Sequence, residues 1–185
     1  VGEDGRVLAE EEAVEIVERH EGIVNQFVGD EVLALFGIPV AHEDDPIRAV
    51  HAAMEIHRLV RHISVDVEDR TGTQLRMHTG ISTGLVVTHM RDDRDGRYGI
   101  TGDAVNIGAR LASIAEADAI LAGPETQRLI APYFETEPQK AANVKGKTRP
   151  VASFRIIKES TVHTRFDAAR MHGLTDFTGR ENELT

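Results

Sequence analysis

The chain has no cysteine and no tryptophan, and aromatic residues make up only 4% of its 185 positions. The absence of cysteine excludes disulfide bonds, thiolate zinc sites and thiol nucleophiles. It fits a reducing compartment, and we expect a cytoplasmic protein. The sequence also lacks an apolar run of the roughly 18 residues that a membrane span needs, and it does not open with a signal-peptide pattern. We therefore expect no membrane partner.

Basic residues are scarce as well, with 21 Lys and Arg against 31 Asp and Glu and a net charge of −10. An acidic surface with few aromatic side chains is poorly suited to bind the phosphate backbone of nucleic acid. The acids form no long block of one sign, so they indicate a solvated surface rather than a disordered tail. We expect no nucleic-acid partner, and the length predicts one domain with a short extension.

The first half of the chain predicts a helix, a hairpin and a second helix. Residues 9–20 place acids before a set of apolar positions, which is typical of a helix start. The β-rich runs 23–28 and 31–37 are separated only by Gly29-Asp30 and predict a hairpin. Asp44 and Asp45 form an N-cap pair before Pro46, and the helix that they begin is expected to end near residue 62, before a polar stretch.

The second half predicts a further mixture of strands and helices. The predicted strands are two over 74–89, kinked around Gly80 and Gly84, then 119–121 and 151–157, and the predicted helices are 103–116 and 124–130. The irregular alternation favours an α+β sheet with helices on one face over a doubly wound fold. After residue 158 no periodic pattern is present, so residues 159–185 are interpreted as a linker that follows a domain over 1–158.

The hairpin tip is the first candidate for chemistry. A carboxylate on a turn between two strands, as at Asp30, is held rigidly and is a suitable ligand for a hard cation. The alternative is that Asp is simply a common turn residue.

The segment YGITGDAVNIGAR over residues 98–110 is the second candidate. Asn106 and Arg110 are spaced i, i+4, so both side chains leave the same face of one helix. An amide beside a guanidinium suits a hydroxyl and a phosphate oxygen. The alternative is an exposed polar face with Arg110 paired to an acid.

The segment VKGKTRPV over residues 144–151 is the third candidate. It is not a phosphate-binding P-loop, because Ala141 stands where the first glycine is needed and Pro150 prevents the helix that must follow. Lys145 could still contact a phosphate, and the alternative is a surface lysine. The histidines His51, His57 and His62 miss the i, i+4 register that binds zinc, so no metal is assigned to them.

These segments occur in one order: FVGDEVLALFG, HEDDPIRAVHAAMEI, GITGDAVNIGARL and VKGKTRPV. Together they resemble the catalytic domain of class III adenylyl and guanylyl cyclases, over roughly residues 15–157. The resemblance implies a ferredoxin-like βαββαβ core with additional strands and helices. It also implies a head-to-tail homodimer with active sites in the cleft between the chains.

The resemblance assigns roles to four residues of this sequence. Asp30 corresponds to one of two aspartates that bind two Mg²⁺ or Mn²⁺ ions per site, Asn106 would orient the ribose, and Arg110 would stabilise charge on the α-phosphate. Lys145 would contact the terminal phosphates. The implied reaction is attack of the 3′-hydroxyl of ATP on the α-phosphorus, which forms cyclic AMP and releases pyrophosphate.

The base-selecting positions depart from the family pattern. Gln26 replaces the usual Lys, and Gly99 replaces the usual Asp or Thr, so base selection would rest on the Gln26 amide and the backbone of Ile100. Two alternatives to an adenylyl cyclase therefore stay open: a weak or inactive cyclase-like domain with a regulatory role, and a guanylyl cyclase.

Two expectations concern what lies beyond the domain. The strand that carries the family's other metal-binding aspartate does not precede residue 9, and we expect it to be absent from this chain rather than from the protein. At the other end, DFTGRENEL (176–184) resembles the start of an ATPase module that often follows such cyclases. A fused C-terminal ATPase is the partner that this resemblance implies.

Overall fold

The computed structural model describes residues 3–90, 98–139 and 152–160. These residues form four helices and eight strands, here numbered in chain order. The helices are α1 (Glu3–Arg19), α2 (Asp45–Thr71), α3 (Asp103–Ile114) and α4 (Pro124–Ile130). The strands are β1 (Gly22–Val28), β2 (Glu31–Phe36), β3 (Thr79–Ile81), β4 (Val87–Met90), β5 (Tyr98–Thr101), β6 (Ile120–Ala122), β7 (Phe134–Pro138) and β8 (Phe154–Glu159).

Strands β1 and β2 form the predicted antiparallel hairpin, with Val28 opposite Glu31. Gly29 has a positive φ of 65°, whereas the φ of Asp30 is not positive. A positive φ at the first central residue alone is the pattern of a type II′ turn, which suits the twist of the paired strands. A bulge at Asn25 shifts the register next to Gln26. The turn leaves Asp30 exposed at the tip.

The main sheet has four strands in the order β3-β6-β8-β7. Strand β6 pairs parallel with β3 and antiparallel with β8. Because side chains alternate along a strand, Ile120 and Ala122 share one face and Leu121 occupies the other. Ile120 and Ala122 pack with Val50 and Ala53 of α2 and with further apolar side chains from α4, β7 and β8. Helices α2 and α4 therefore cover one face of the sheet.

Helix α3 packs on the opposite face. A Cβ placed on Gly80 of β3 would lie 2.2 Å from the Gly108 carbonyl oxygen and 2.8 Å from Leu111 Cβ. Gly80 pairs with Leu121, so both residues face α3. The sheet thus carries helices on both faces, whereas the alternation of elements favoured one. The close approach at Gly80 positions α3, which carries the second candidate segment.

Helix α2 is longer than predicted. It continues past residue 62 to Thr71 because the buried stripe continues through Ser64 and Val67. The Ser64 hydroxyl accepts the Leu75 backbone N–H at 2.9 Å, which satisfies the buried oxygen. The helix ends where Gly72 adopts a left-handed conformation and donates its N–H to the Glu68 carbonyl.

Strand β7 was not predicted, because FETEP combines two acids with a proline. Its position explains the composition: it is the edge of the sheet, where one face is solvated and Pro is tolerated. Helix α1 starts earlier than predicted, at Glu3, and β8 starts at Phe154 rather than at residue 151.

The predicted α+β class is confirmed. Among the described residues, α1 is the first element and no strand precedes it. The described strands form three sheets, in which β2 pairs only with β1 and β4 only with β5. No helix in the described part of the chain is both long and apolar enough to cross a membrane.

Candidate nucleotide-binding site

Helix α3 brings Asn106 and Arg110 onto one face, as the i, i+4 spacing predicts. The Asn106 side chain is exposed, and its amide nitrogen reaches only the Gly102 carbonyl, at 3.5 Å. A contact this long leaves most of the hydrogen-bonding capacity of the amide open to a ligand.

The Arg110 guanidinium is half-buried, and its Nη1 atom is fully buried without a hydrogen-bond partner. Within the described residues no carboxylate forms an ion pair with Arg110. Burying a cationic N–H without an acceptor costs free energy, and an anionic ligand that accepts its hydrogen bond removes this cost. Arg110 and Asn106 therefore form a pair of donors suited to an anionic ligand that also carries hydroxyl groups.

Asp30 lies on the separate β1-β2 sheet. The described residues contain no group of three or more His, Asp or Glu side chains that could hold a metal ion. A single exposed carboxylate on a fixed turn is a suitable oxygen ligand for Mg²⁺ or Mn²⁺. A site for two ions needs more oxygen ligands than Asp30 alone supplies.

Gly99 and Ile100 lie on β5, and only Gly102 separates this strand from α3. Gln26 lies on β1. Gly99 is buried and pairs with His89 across the β4-β5 ribbon, and Ile100 pairs with Thr88. Nothing in the sequence singles out His89, because its position opposite Gly99 depends on the strand pairing. No hydrogen bond within the described residues joins Gln26 to either β5 residue.

The candidate residues thus fall into two groups on one chain. Gly99, Ile100, Asn106 and Arg110 follow one another along β5 and α3, and the hairpin carries the others. In the parts of the chain that the structure describes, no hydrogen bond or ion pair connects Asp30 to Asn106 or Arg110. Lys145 lies outside the described residues.

An open cavity of about 440 Å³ lies at the far end of α3. Ile114, Leu121, Ser153 and Arg155 are among the residues that line it, whereas Gln26, Gly99, Ile100, Asn106 and Arg110 are not. This cavity is therefore distinct from the Asn106–Arg110 face.

Residues 12–158 match the family described as the adenylate and guanylate cyclase catalytic domain, and the chain belongs to that family. The resemblance found in the sequence is thereby confirmed. The matched range includes all seven candidate residues, from Gln26 to Lys145.

Curated relatives include cyclases of both kinds. The chain is 27% identical over 142 residues to the receptor-type guanylate cyclase gcy-23 of Caenorhabditis elegans. The aligned region covers 75% of this chain and 13% of that relative. It is 25% identical over 133 residues to an adenylate cyclase of Mycobacterium tuberculosis. This second aligned region covers 72% of this chain and 29% of the relative. The chain therefore spans less than a third of either relative.

Among solved structures, the adenylyl cyclase CyaB from P. aeruginosa superposes with a TM-score of 0.77 at 26% identity. The superposition covers 85% of this chain and 83% of that one. The described fold is therefore that of a cyclase catalytic domain.

Proposed function

We propose that the domain catalyses nucleotide cyclisation, with ATP as substrate and cyclic AMP and pyrophosphate as products. The observation that carries the proposal is the half-buried Arg110 guanidinium, which has an unpartnered buried N–H and lies one helical turn from the Asn106 amide. Family membership, and relatives that make cyclic nucleotides, support the same reading.

In the proposed reaction the ATP 3′-hydroxyl attacks the α-phosphorus, and the bond to the pyrophosphate oxygen breaks. Negative charge grows on the α-phosphate oxygens, and Arg110 donates to them. Asn106 orients the ribose, so that the hydroxyl is held near the phosphorus. Lys145 contacts the terminal phosphates. Mg²⁺ or Mn²⁺, two ions per site with Asp30 as one ligand, would offset the charge of the triphosphate.

Asp30 belongs to the β1-β2 hairpin and Arg110 to α3, with no bond between them in the described residues, which supports a site completed by a second copy of the chain in a head-to-tail homodimer. Leu85, which precedes β4, is 87% exposed, and Val87, the first residue of β4, is 59% exposed. Exposed apolar side chains beside a proposed site are suited to burial against a partner. A fused C-terminal ATPase module after residue 158, and a cytoplasmic location, are part of the same proposal.

A guanylyl cyclase is the second candidate, because Gln26 and Gly99 supply no fixed donor or acceptor that selects adenine. The relatives of both kinds are consistent with either base. A regulatory domain that binds nucleotide without turnover is the third candidate, because Gln26 and Gly99 depart from the family pattern at both base-selecting positions.

Cyclic nucleotide formation from ATP and from GTP, with Mg²⁺ and with Mn²⁺, tests the proposal. Arg110→Ala should lower kcat about 100- to 1,000-fold, as expected for loss of a donor to developing charge. Arg128→Ala is the matched control, because Arg128 is an exposed arginine that pairs with Glu125 on α4.

Preferential formation of cyclic GMP would favour the second candidate. Nucleotide binding without any product would favour the regulatory domain, and equal activity of the two arginine variants would contradict the role of Arg110.

A further inference from the structure

The space beside Gly99 is filled by a side chain from the neighbouring strand. A Cβ placed on Gly99 would lie 2.1 Å from Nε2, 2.5 Å from Cε1 and 2.7 Å from Cδ2 of His89. The two residues are directly paired on the antiparallel β4-β5 ribbon, so their side-chain directions share one face. The imidazole ring therefore lies over the Gly99 backbone and buries it.

Gly99 is not required for an unusual backbone conformation. The glycines with positive φ are Gly29, Gly37, Gly72 and Gly102, and Gly99 is not among them. An L-residue could adopt the same backbone. What the missing side chain provides is room for the ring of His89.

The imidazole is exposed, and within the described residues it has no hydrogen-bond or ion-pair partner. A neutral imidazole carries one donor and one acceptor, and exchange of the tautomer reverses them. Through one ring nitrogen it can therefore accept from the adenine amine or the guanine N–H, or donate to the adenine ring nitrogen or the guanine carbonyl. A side chain of this kind would bind a purine and discriminate weakly between the two.

We propose that His89 of β4 supplies the base-contacting side chain of the nucleotide site, in the space that Gly99 leaves free. The inference rests on the proposed cyclase function and goes beyond it, because it identifies the residue that contacts the base. Gln26 is then not the only polar side chain available to the purine.

The test compares His89→Ala with Thr88→Ala, whose side chain leaves the opposite face of the same strand. We expect His89→Ala to lower kcat/KM for both ATP and GTP by about 10- to 100-fold, as for loss of a base hydrogen bond. Inhibition by inorganic tripolyphosphate, which has no base, should stay within about twofold of wild type. Thr88→Ala should leave all three values near wild type.

A second pair of variants tests whether a polar side chain on β5 can replace the one that His89 supplies from β4. In Gly99→Thr the new side chain meets the His89 ring, so nucleotide affinity should fall. In His89→Gly with Gly99→Thr the clash is gone and β5 carries the polar group. We expect the double variant to bind nucleotide at least about tenfold better than Gly99→Thr, with a changed ATP-to-GTP ratio.

The outcomes separate this inference from the proposed function. If His89→Ala matches Thr88→Ala in activity and in nucleotide affinity measured by calorimetry, His89 does not contact the base, although the cyclase proposal stands. Equal losses of nucleotide and tripolyphosphate binding would also overturn the inference, because they indicate general damage. If the wild-type protein binds neither ATP nor GTP, the proposed function itself fails.

Discussion

His57 is the clearest titratable residue of the interior. Its side chain is 3% exposed, and its Nε2 atom lies 2.9 Å from the Thr79 hydroxyl, which joins α2 to β3. Burial, together with the nearby positive charge of Arg61, lowers the pKa of His57 from 6.5 to about 4. The ring is therefore neutral in the folded protein at neutral pH.

A depressed histidine pKa makes stability depend on pH in one direction. Between about pH 6.5 and 4 the unfolded chain binds a proton that the folded chain does not, so the free energy of unfolding falls as the pH is lowered through this window. We expect His57→Gln to remove about 1–3 kcal/mol of this pH dependence. Urea unfolding of both proteins at pH 7.5 and 4.5 measures the difference.

The lowered pKa of His51, which is caused chiefly by burial, acts in the same direction and remains in the variant. The comparison between wild type and His57→Gln therefore isolates His57. An equal loss of stability on acidification in both proteins would mean that the His57 ring is protonated in the folded state.

At the scale of elements, the contact between β3 and α3 determines where the candidate site lies. Gly80 of β3 and Gly108 of α3 lie at this contact, but only at Gly80 would a side chain clash with the neighbouring element. A Cβ on Gly80 would lie 2.3 Å from the Ala112 backbone nitrogen, and backbone atoms cannot rotate away. A Cβ on Gly108 would have no neighbouring atom nearer than 3.8 Å outside its own helix.

Gly80→Ala should therefore destabilise the protein by at least about 1–3 kcal/mol, because overpacking forces α3 away from the sheet. Gly108→Ala should be neutral or stabilise by up to about 1 kcal/mol, since alanine favours a helix interior. Denaturant unfolding of the two variants provides the comparison. Similar destabilisation by both would contradict the close packing of α3 on β3.

At the scale of the whole molecule, the two groups of site residues predict complementation between chains. Asp30→Ala and Arg110→Ala should each lower activity at least about 100-fold alone. In a mixed dimer one of the two clefts regains both residues, so an equal mixture should recover up to about a quarter of wild-type activity. The measurement is cyclic nucleotide formation after the two variants are unfolded and refolded together.

Asn106→Ala mixed with Arg110→Ala is the matched control. Both residues lie on α3 of one chain, so every cleft of a mixed dimer keeps one defective helix and no activity should return. Recovery in the control, or none in the Asp30 mixture when mixed dimers are present, would contradict a site shared between chains.

Local patterns in the sequence predicted those features that depend on neighbouring residues. The hairpin of β1 and β2 follows from Gly29-Asp30 between two β-rich runs, and the common face of Asn106 and Arg110 follows from helical periodicity. The order of the motifs identified the family over most of the chain, which the match over residues 12–158 confirmed. These signals require no knowledge of distant contacts.

The tertiary structure alone decided the features that depend on residues far apart in sequence. Helix α2 extends to Thr71 because Ser64 and Val67 are buried against other elements. The polar composition of this segment gave no indication of that burial. Strand β7 forms because β8 pairs with it, despite its acids and proline. The environment of Gly99 likewise depends on the register of two strands, which places the His89 ring where a β5 side chain would otherwise lie.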